Sequence, residues 1–178
     1  MTDTENSQLE TLNTKANILY KFVMLYNDYI KTARDYGTGE IINMVEVHIL
    51  TKIEENPGIT VTEVALMWNR TKGAVSQIVS KLEKRGLIER RKERGNAKNV
   101  HLYVTDKGEI LSKAHKAYDI QELNWADKTL HTDFTSQEID TFYKVMQRYN
   151  ELMDVTGTED MEQNTREDRS SQTLHTRN

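Results

Sequence analysis

The run Arg70, Thr71, Lys72, Gly73, followed at helical spacing by Ser76, Gln77, Ser80 and Lys81, is equipped for chemistry with a polyanion. Glutamine pairs with adenine, serine and threonine adapt to several base edges, and lysine serves guanine or phosphate. Arg94, Asn96 and Lys98 follow in a second polar stretch. Charge is segregated in the same place. From Arg70 to Lys98 ten basic residues face three acidic ones, a net +7, so the remainder of a chain of net charge −4 carries −11. A basic block in an acidic chain is the footprint of one face meant for phosphates. The same residues also describe a solvated helix followed by a charged hairpin, and charge alone does not separate the two readings.

Other chemistry finds little support. There is no cysteine, which excludes a disulfide scaffold, a thiolate metal site and a thiol nucleophile, and suits a reducing cytosol. His48, His101, His115, His131 and His175 are scattered. No two of them stand three or four residues apart, the spacing that sets two imidazoles on one helix face, so no metal site is expected. Glu54 and Glu55 read as solvated charge. Nucleophile elbow, phosphate loop and dinucleotide fingerprint are all missing. The expectation is therefore no catalytic residue, no cofactor and no enzyme.

The elements that must position the polar run follow from periodicity. Leu12, Ala16, Leu19, Phe22, Val23, Tyr26 and Ile30 recur at threes and fours, which predicts one long helix over 8–36, ending near Gly37. A second helix is predicted from Ile41 to Glu55, stopped by Asn56, Pro57 and Gly58. Thr60 to Glu63 spells a capping box for a short third helix. Asn69, tolerant of left-handed backbone, then turns the chain. Thr71 caps a fourth helix, Lys72 to Arg85, which buries Val75, Ile78, Val79 and Leu82 and stops at Gly86. Leu87 to Lys92 and Val100 to Thr105 read as two strands of a hairpin with a basic tip. A fifth helix begins after Thr105 and persists to Trp125. A second capping box, Thr135 to Glu138, opens a sixth, with Ile139, Phe142, Val145, Met146, Tyr149 and Leu152 on one face.

The fold class is mainly α with a small β-hairpin, and the expected organisation is a terminal helix over 8–36, a central domain over 41–105 and further helices over 106–154. From Val155 to Asn178 the chain has hardly any apolar content and is expected to be disordered. No apolar run approaches the ~18 residues of a membrane span, and the polar, acidic N-terminus is unlike a secretory signal. A cytoplasmic protein, neither secreted nor inserted, is expected.

Helix, turn, helix and basic hairpin in series place one element in the major groove of DNA and another beside it. From Met44 to Gly108 the sequence resembles the MarR family of bacterial winged-helix transcription regulators. The block KLEKRGLIERR, with Val104, Thr105 and Gly108 beyond the hairpin, carries the resemblance. It implies a winged helix-turn-helix flanked by long dimerisation helices, and a homodimer in which the first, fifth and sixth helices interlock. On this reading Arg70, Thr71, Lys72, Gly73, Ser76, Gln77, Ser80, Lys81, Arg94, Asn96 and Lys98 contact a double-stranded, pseudo-palindromic DNA operator, and the protein is a repressor.

Two wing positions depart from the family, whose wing carries an aspartate and, two residues later, an arginine that enters the minor groove. Here they are Asn96 and Lys98, so that ion pair cannot form. Arg94 takes over the minor-groove role, or the wing touches phosphate alone. The resemblance also places an effector pocket between the dimer body and the DNA-binding lobe. Tyr20, Met24, Asn27 and His48 are candidates to line it for a small aromatic or acyl effector, the competing reading being core or dimer contacts. The alternative function is a winged-helix effector-binding or protein-interaction module with little DNA affinity.

Overall fold

A computed structural model of the chain describes residues 2–93 and 96–153. The chain forms two compact units that divide after Gln121. In the first, the order is α1 (Asp3–Lys31), β1 (Ala33–Asp35), β2 (Ile41–Asn43), α2 (Met44–Glu55), α3 (Val61–Met67), α4 (Lys72–Lys84), β3 (Ile88–Glu93), β4 (Asn96–Val104) and the start of α5 (Asp106–Leu130). The second contains the end of α5 and a helix over 136–153, here α6.

The main elements follow the apolar periodicity, and the differences have local causes. The first helix ends at Lys31, not near Gly37, because Ala33–Asp35 pairs antiparallel with Ile41–Asn43. The Asp35 carboxylate holds the connecting turn by accepting the amides of Gly37, Thr38 and Gly39 at 2.9–3.0 Å. Three-residue strands are too short to show alternation, so both merge into the neighbouring helical patterns. The second helix accordingly begins at Met44, with the Asn43 side chain accepting the Glu46 amide at 2.9 Å as N-cap. The fifth helix runs past Trp125 to Leu130.

The core of the first unit is one cluster in which Val47, Leu50 and Ile53 of α2 meet Val64 of α3, Val75, Val79 and Leu82 of α4, Leu87, Leu102 of β4 and Leu111 of α5, all fully buried. A buried leucine of this kind contributes roughly 1.5–3 kcal/mol. Ile78 is only partly buried. The α5 N-terminus is fastened to the chain between α4 and β3: the Thr105 amide donates to the Leu87 carbonyl at 3.1 Å, and its hydroxyl donates to the Gly86 carbonyl at 2.7 Å.

In the second unit Thr135 and Glu138 form the expected capping box at the start of α6, with the Thr135 amide donating to Glu138 at 2.8 Å and the Glu138 amide returning a bond to the Thr135 hydroxyl at 3.3 Å. Ile139 is buried, whereas Phe142, Val145, Tyr149 and Leu152 are exposed in the single chain. The disorder expected of 155–178 concerns residues outside those described. Among the described residues no helix is long and apolar enough to cross a membrane.

Candidate nucleic-acid interface

Each end of the helix-turn-helix is held by the residue type that its geometry requires. Thr60 and Glu63 complete the capping box of α3: the Thr60 amide donates to the Glu63 carboxylate at 2.8 Å, and the Glu63 amide donates to the Thr60 hydroxyl at 3.3 Å. Those bonds from the Thr60 backbone and hydroxyl hold the Glu63 carboxyl below its ordinary pKa. Asn69 turns the chain at φ 45°, in the left-handed region. Thr71 then caps α4 by accepting the Ala74 amide at 3.2 Å. With Val75, Val79 and Leu82 in the core, the opposite face of α4 is committed to solvent.

On that face Arg70, Thr71, Lys72, Gly73, Gln77 and Lys81 are exposed, and Ser76 and Ser80 are half-buried beside them. Two already have partners: Lys81 lies 3.4 Å from Glu46 of α2, and the Ser80 hydroxyl accepts from Arg90 of β3 at 3.1 Å. Arg70, Lys72 and Gln77 are therefore better placed to meet a ligand through their side chains. A groove of about 580 Å³ runs beside α4, lined by Thr60, Thr62, Glu63, Lys72, Ser76 and Arg90 among others. Not all of the basic block serves this face. Arg85 bonds Glu40 at 2.7 Å and the Ile41 carbonyl at 2.9 Å, and so ties α4 to the loop before β2.

The wing is the antiparallel pair β3–β4, in register from Ile88 opposite Val104 to Lys92 opposite Val100, with a shift before Glu93 pairs with Asn96. Arg91 bonds Glu89 and lies over the Tyr103 ring, 4.4 Å from its centroid. Asn96 and Lys98 are positions on β4, while Arg94 lies outside the described residues.

The four effector candidates are not brought together. Tyr20 and Met24 are exposed on α1 and Asn27 is half-buried there. His48 instead lines a separate groove of about 430 Å³ in the first unit, with Thr51, Trp68, His115, Lys116 and Asp119 among its walls, and none of the three α1 candidates belongs to that lining. His115 and Asp119 escape a search confined to histidine pairs. The signal that finds them is a histidine followed four residues later by aspartate on one helix, which places both side chains on one face.

A helix-turn-helix whose second helix presents a polar, basic face, followed by a two-stranded wing, defines the winged helix class. Residues 42–100 match the model of the MarR family. The matched segment runs from β2 into β4, and so holds the helix-turn-helix and the base of the wing. An 84-residue segment, 47% of the chain, is 34% identical to the Bacillus subtilis uncharacterized HTH-type transcriptional regulator YhjH. That segment spans about half of the relative's length, 48%. Streptococcus pneumoniae FabT, solved in complex with DNA, has the same fold at 20% identity, with a TM-score of 0.59 over 82% of this chain and 97% of that one. The S. aureus MepR–DNA complex matches at 19% identity with a TM-score of 0.62, over 75% of this chain and 96% of that one.

Proposed function

We propose that this protein binds double-stranded DNA as a homodimer and regulates transcription from a pseudo-palindromic operator, as a repressor, in the cytoplasm. The observation that carries the reading is the exposed face of α4, where Arg70, Thr71, Lys72, Gly73 and Gln77 are presented by a helix whose other side is locked into the core. Such a helix enters the major groove with its N-terminal residues towards the base edges. Ser76, Ser80 and Lys81 flank that contact, while Arg94, Asn96 and Lys98 of the wing reach phosphate or the minor groove. Two proteins of the same fold were solved on DNA, which supports the reading.

Dimerisation is supported by exposed apolar residues at both ends of the chain: Phe22, Val23 and Tyr26 on α1, and Phe142, Val145 and Tyr149 on α6. Large apolar patches of this kind mark association surfaces. A two-fold dimer presents two copies of α4, so the half-sites should be centred roughly 34–36 Å apart, one turn of B-DNA. Release by a small aromatic or acyl effector belongs to the same reading, with His48, Tyr20, Met24 and Asn27 as the candidate contacts.

The deciding experiment is a titration of DNA from the protein's own promoter region against scrambled DNA across a range of salt. Preferential binding to the promoter fragment that weakens log-linearly with salt is expected. A chain that binds neither DNA at low salt would be an interaction module on a winged-helix frame.

A further inference from the structure

His48 of α2 and His115 and Asp119 of α5 bring one ligand atom each to within 4.8 Å of one another. The His48 Nε2 lies 3.5 Å from Asp119 Oδ2, and the His115 Nδ1 lies 3.1 Å from the same oxygen. Ligand atoms arranged tetrahedrally at ~2.0–2.1 Å around a metal stand about 3.3–3.4 Å apart, so both measured edges are already near those of a loaded site. Among the described residues, His48 Nε2 and both ring nitrogens of His115 are buried without a hydrogen-bond partner, and His115 is 1% exposed. The close approach of His115 to Asp119 is therefore not a hydrogen bond. Leaving buried polar atoms unpaired carries their full desolvation cost, and a purely structural histidine would be packed to avoid it.

We propose that His48, His115 and Asp119 form a binding site for one divalent transition-metal ion of the zinc class. Imidazole and carboxylate together suit Zn²⁺ and its neighbours and discriminate against Mg²⁺ and Ca²⁺, which require mainly oxygen ligands. Three protein ligands leave a fourth position, and Asp119, about one-third exposed beside the groove, provides access for the ion and for a water. Surrounding charge does not oppose a cation. Lys116 is paired with Glu54 and Glu55, and Lys52 with Glu55 at 2.7 Å. The bound ion would join α2, the helix before the helix-turn-helix, to α5, the helix after the wing.

The test uses the full untagged chain, stripped with a chelator and titrated with Co²⁺ and then Zn²⁺. One equivalent of Co²⁺ per chain is expected, with visible absorption stronger than that of the aqueous ion, and Zn²⁺ should displace it. Loss of even an outer-shell partner weakens metal binding by about 10–100-fold. His48→Gln and Asp119→Asn should therefore each weaken it at least tenfold, while melting like the wild type without metal and leaving His131→Gln as an unaffected control. Both variants change part-exposed side chains, which avoids the risk of disturbing the core at His115. Absence of stoichiometric Co²⁺ binding, or wild-type affinity in both His48→Gln and Asp119→Asn, would overturn the proposal.

Discussion

A β-carbon added at Gly108 would lie 2.0 Å from the carbonyl oxygen of Leu87. That oxygen already accepts the Thr105 amide, and the Thr105 hydroxyl in turn accepts the Gly108 amide at 3.2 Å. The glycine that closes the family-like Val104, Thr105, Gly108 pattern is thus there for close approach: the first turn of α5 rests on the backbone leading into the wing. Gly108→Ala should push the helix off that seat and destabilise the protein by about 1–3 kcal/mol or more, since neither backbone can move independently. Urea denaturation measures it, and a change below about 0.5 kcal/mol would show that the seat can relax.

Glu40 supplies a pH dependence with a definite sign. Its carboxyl bonds Lys107 at 2.5 Å and Arg85 at 2.7 Å, and those two cations hold its pKa below the ordinary carboxylate value. The stabilisation is fully present above the unfolded-state value of about 4.3 and is lost as pH falls through the lower folded-state value. Glu40→Gln should therefore cost stability at pH 7 and progressively less towards pH 3. An equal cost at both ends would mean that the side chain acts by shape rather than charge.

If α4 reads bases and the wing supplies charge, Gln77 and Lys98 must fail differently. Gln77→Ala should cost about 1–3 kcal/mol on the preferred operator and relax base choice at one symmetric pair of positions. Lys98→Ala should weaken all sequences about equally and reduce the salt slope by about 1 for each phosphate that the wing no longer neutralises. Titrations on operator and scrambled DNA separate the two. The opposite pattern would assign sequence reading to the wing.

Association should depend on the apolar face of α6. Replacing both Phe142 and Val145, 52% and 49% exposed in the single chain, by glutamate should shift sedimentation at micromolar concentration from dimer to monomer, because unpaired charge in an apolar interface is strongly disfavoured. An unshifted dimer would place the interface elsewhere.

The helix-turn-helix is legible in the sequence because every step in it has a local chemical cause. Thr60 and Glu63, Asn69 and Thr71 each satisfy a cap or a left-handed turn that few other residues satisfy. The pair β1–β2 is illegible for the opposite reason: Ala33–Asp35 and Ile41–Asn43 owe their conformation to each other across a turn, and neither carries a signal of its own. The exposed face of α4 follows from Val75, Val79 and Leu82, but the engagement of Lys81 by Glu46 and of Ser80 by Arg90 depends on packing between elements. His48, 67 residues before His115, meets it only because α2 packs beside α5, a juxtaposition that no spacing within one helix encodes.

The fold also bears on which parts of the wing move together. Gly58 donates its amide to the Leu102 carbonyl at 2.9 Å, Leu102 donates its own to the Ile59 carbonyl at 3.0 Å, and His101 Nδ1 lies 2.6 Å from the Gly58 oxygen. The middle of β4 is therefore laced to the segment that delivers the chain into the α3 cap, with Tyr103 closing over Gly58. Opening the wing at Leu102 means breaking into that segment as well, so the base of the wing and the entry to the helix-turn-helix constitute a single cooperative unit, with amide exchange at Leu102 linked to opening of both. A force applied to the wing by a duplex would pass into the α3 cap through backbone hydrogen bonds, rather than being absorbed at a hinge between them.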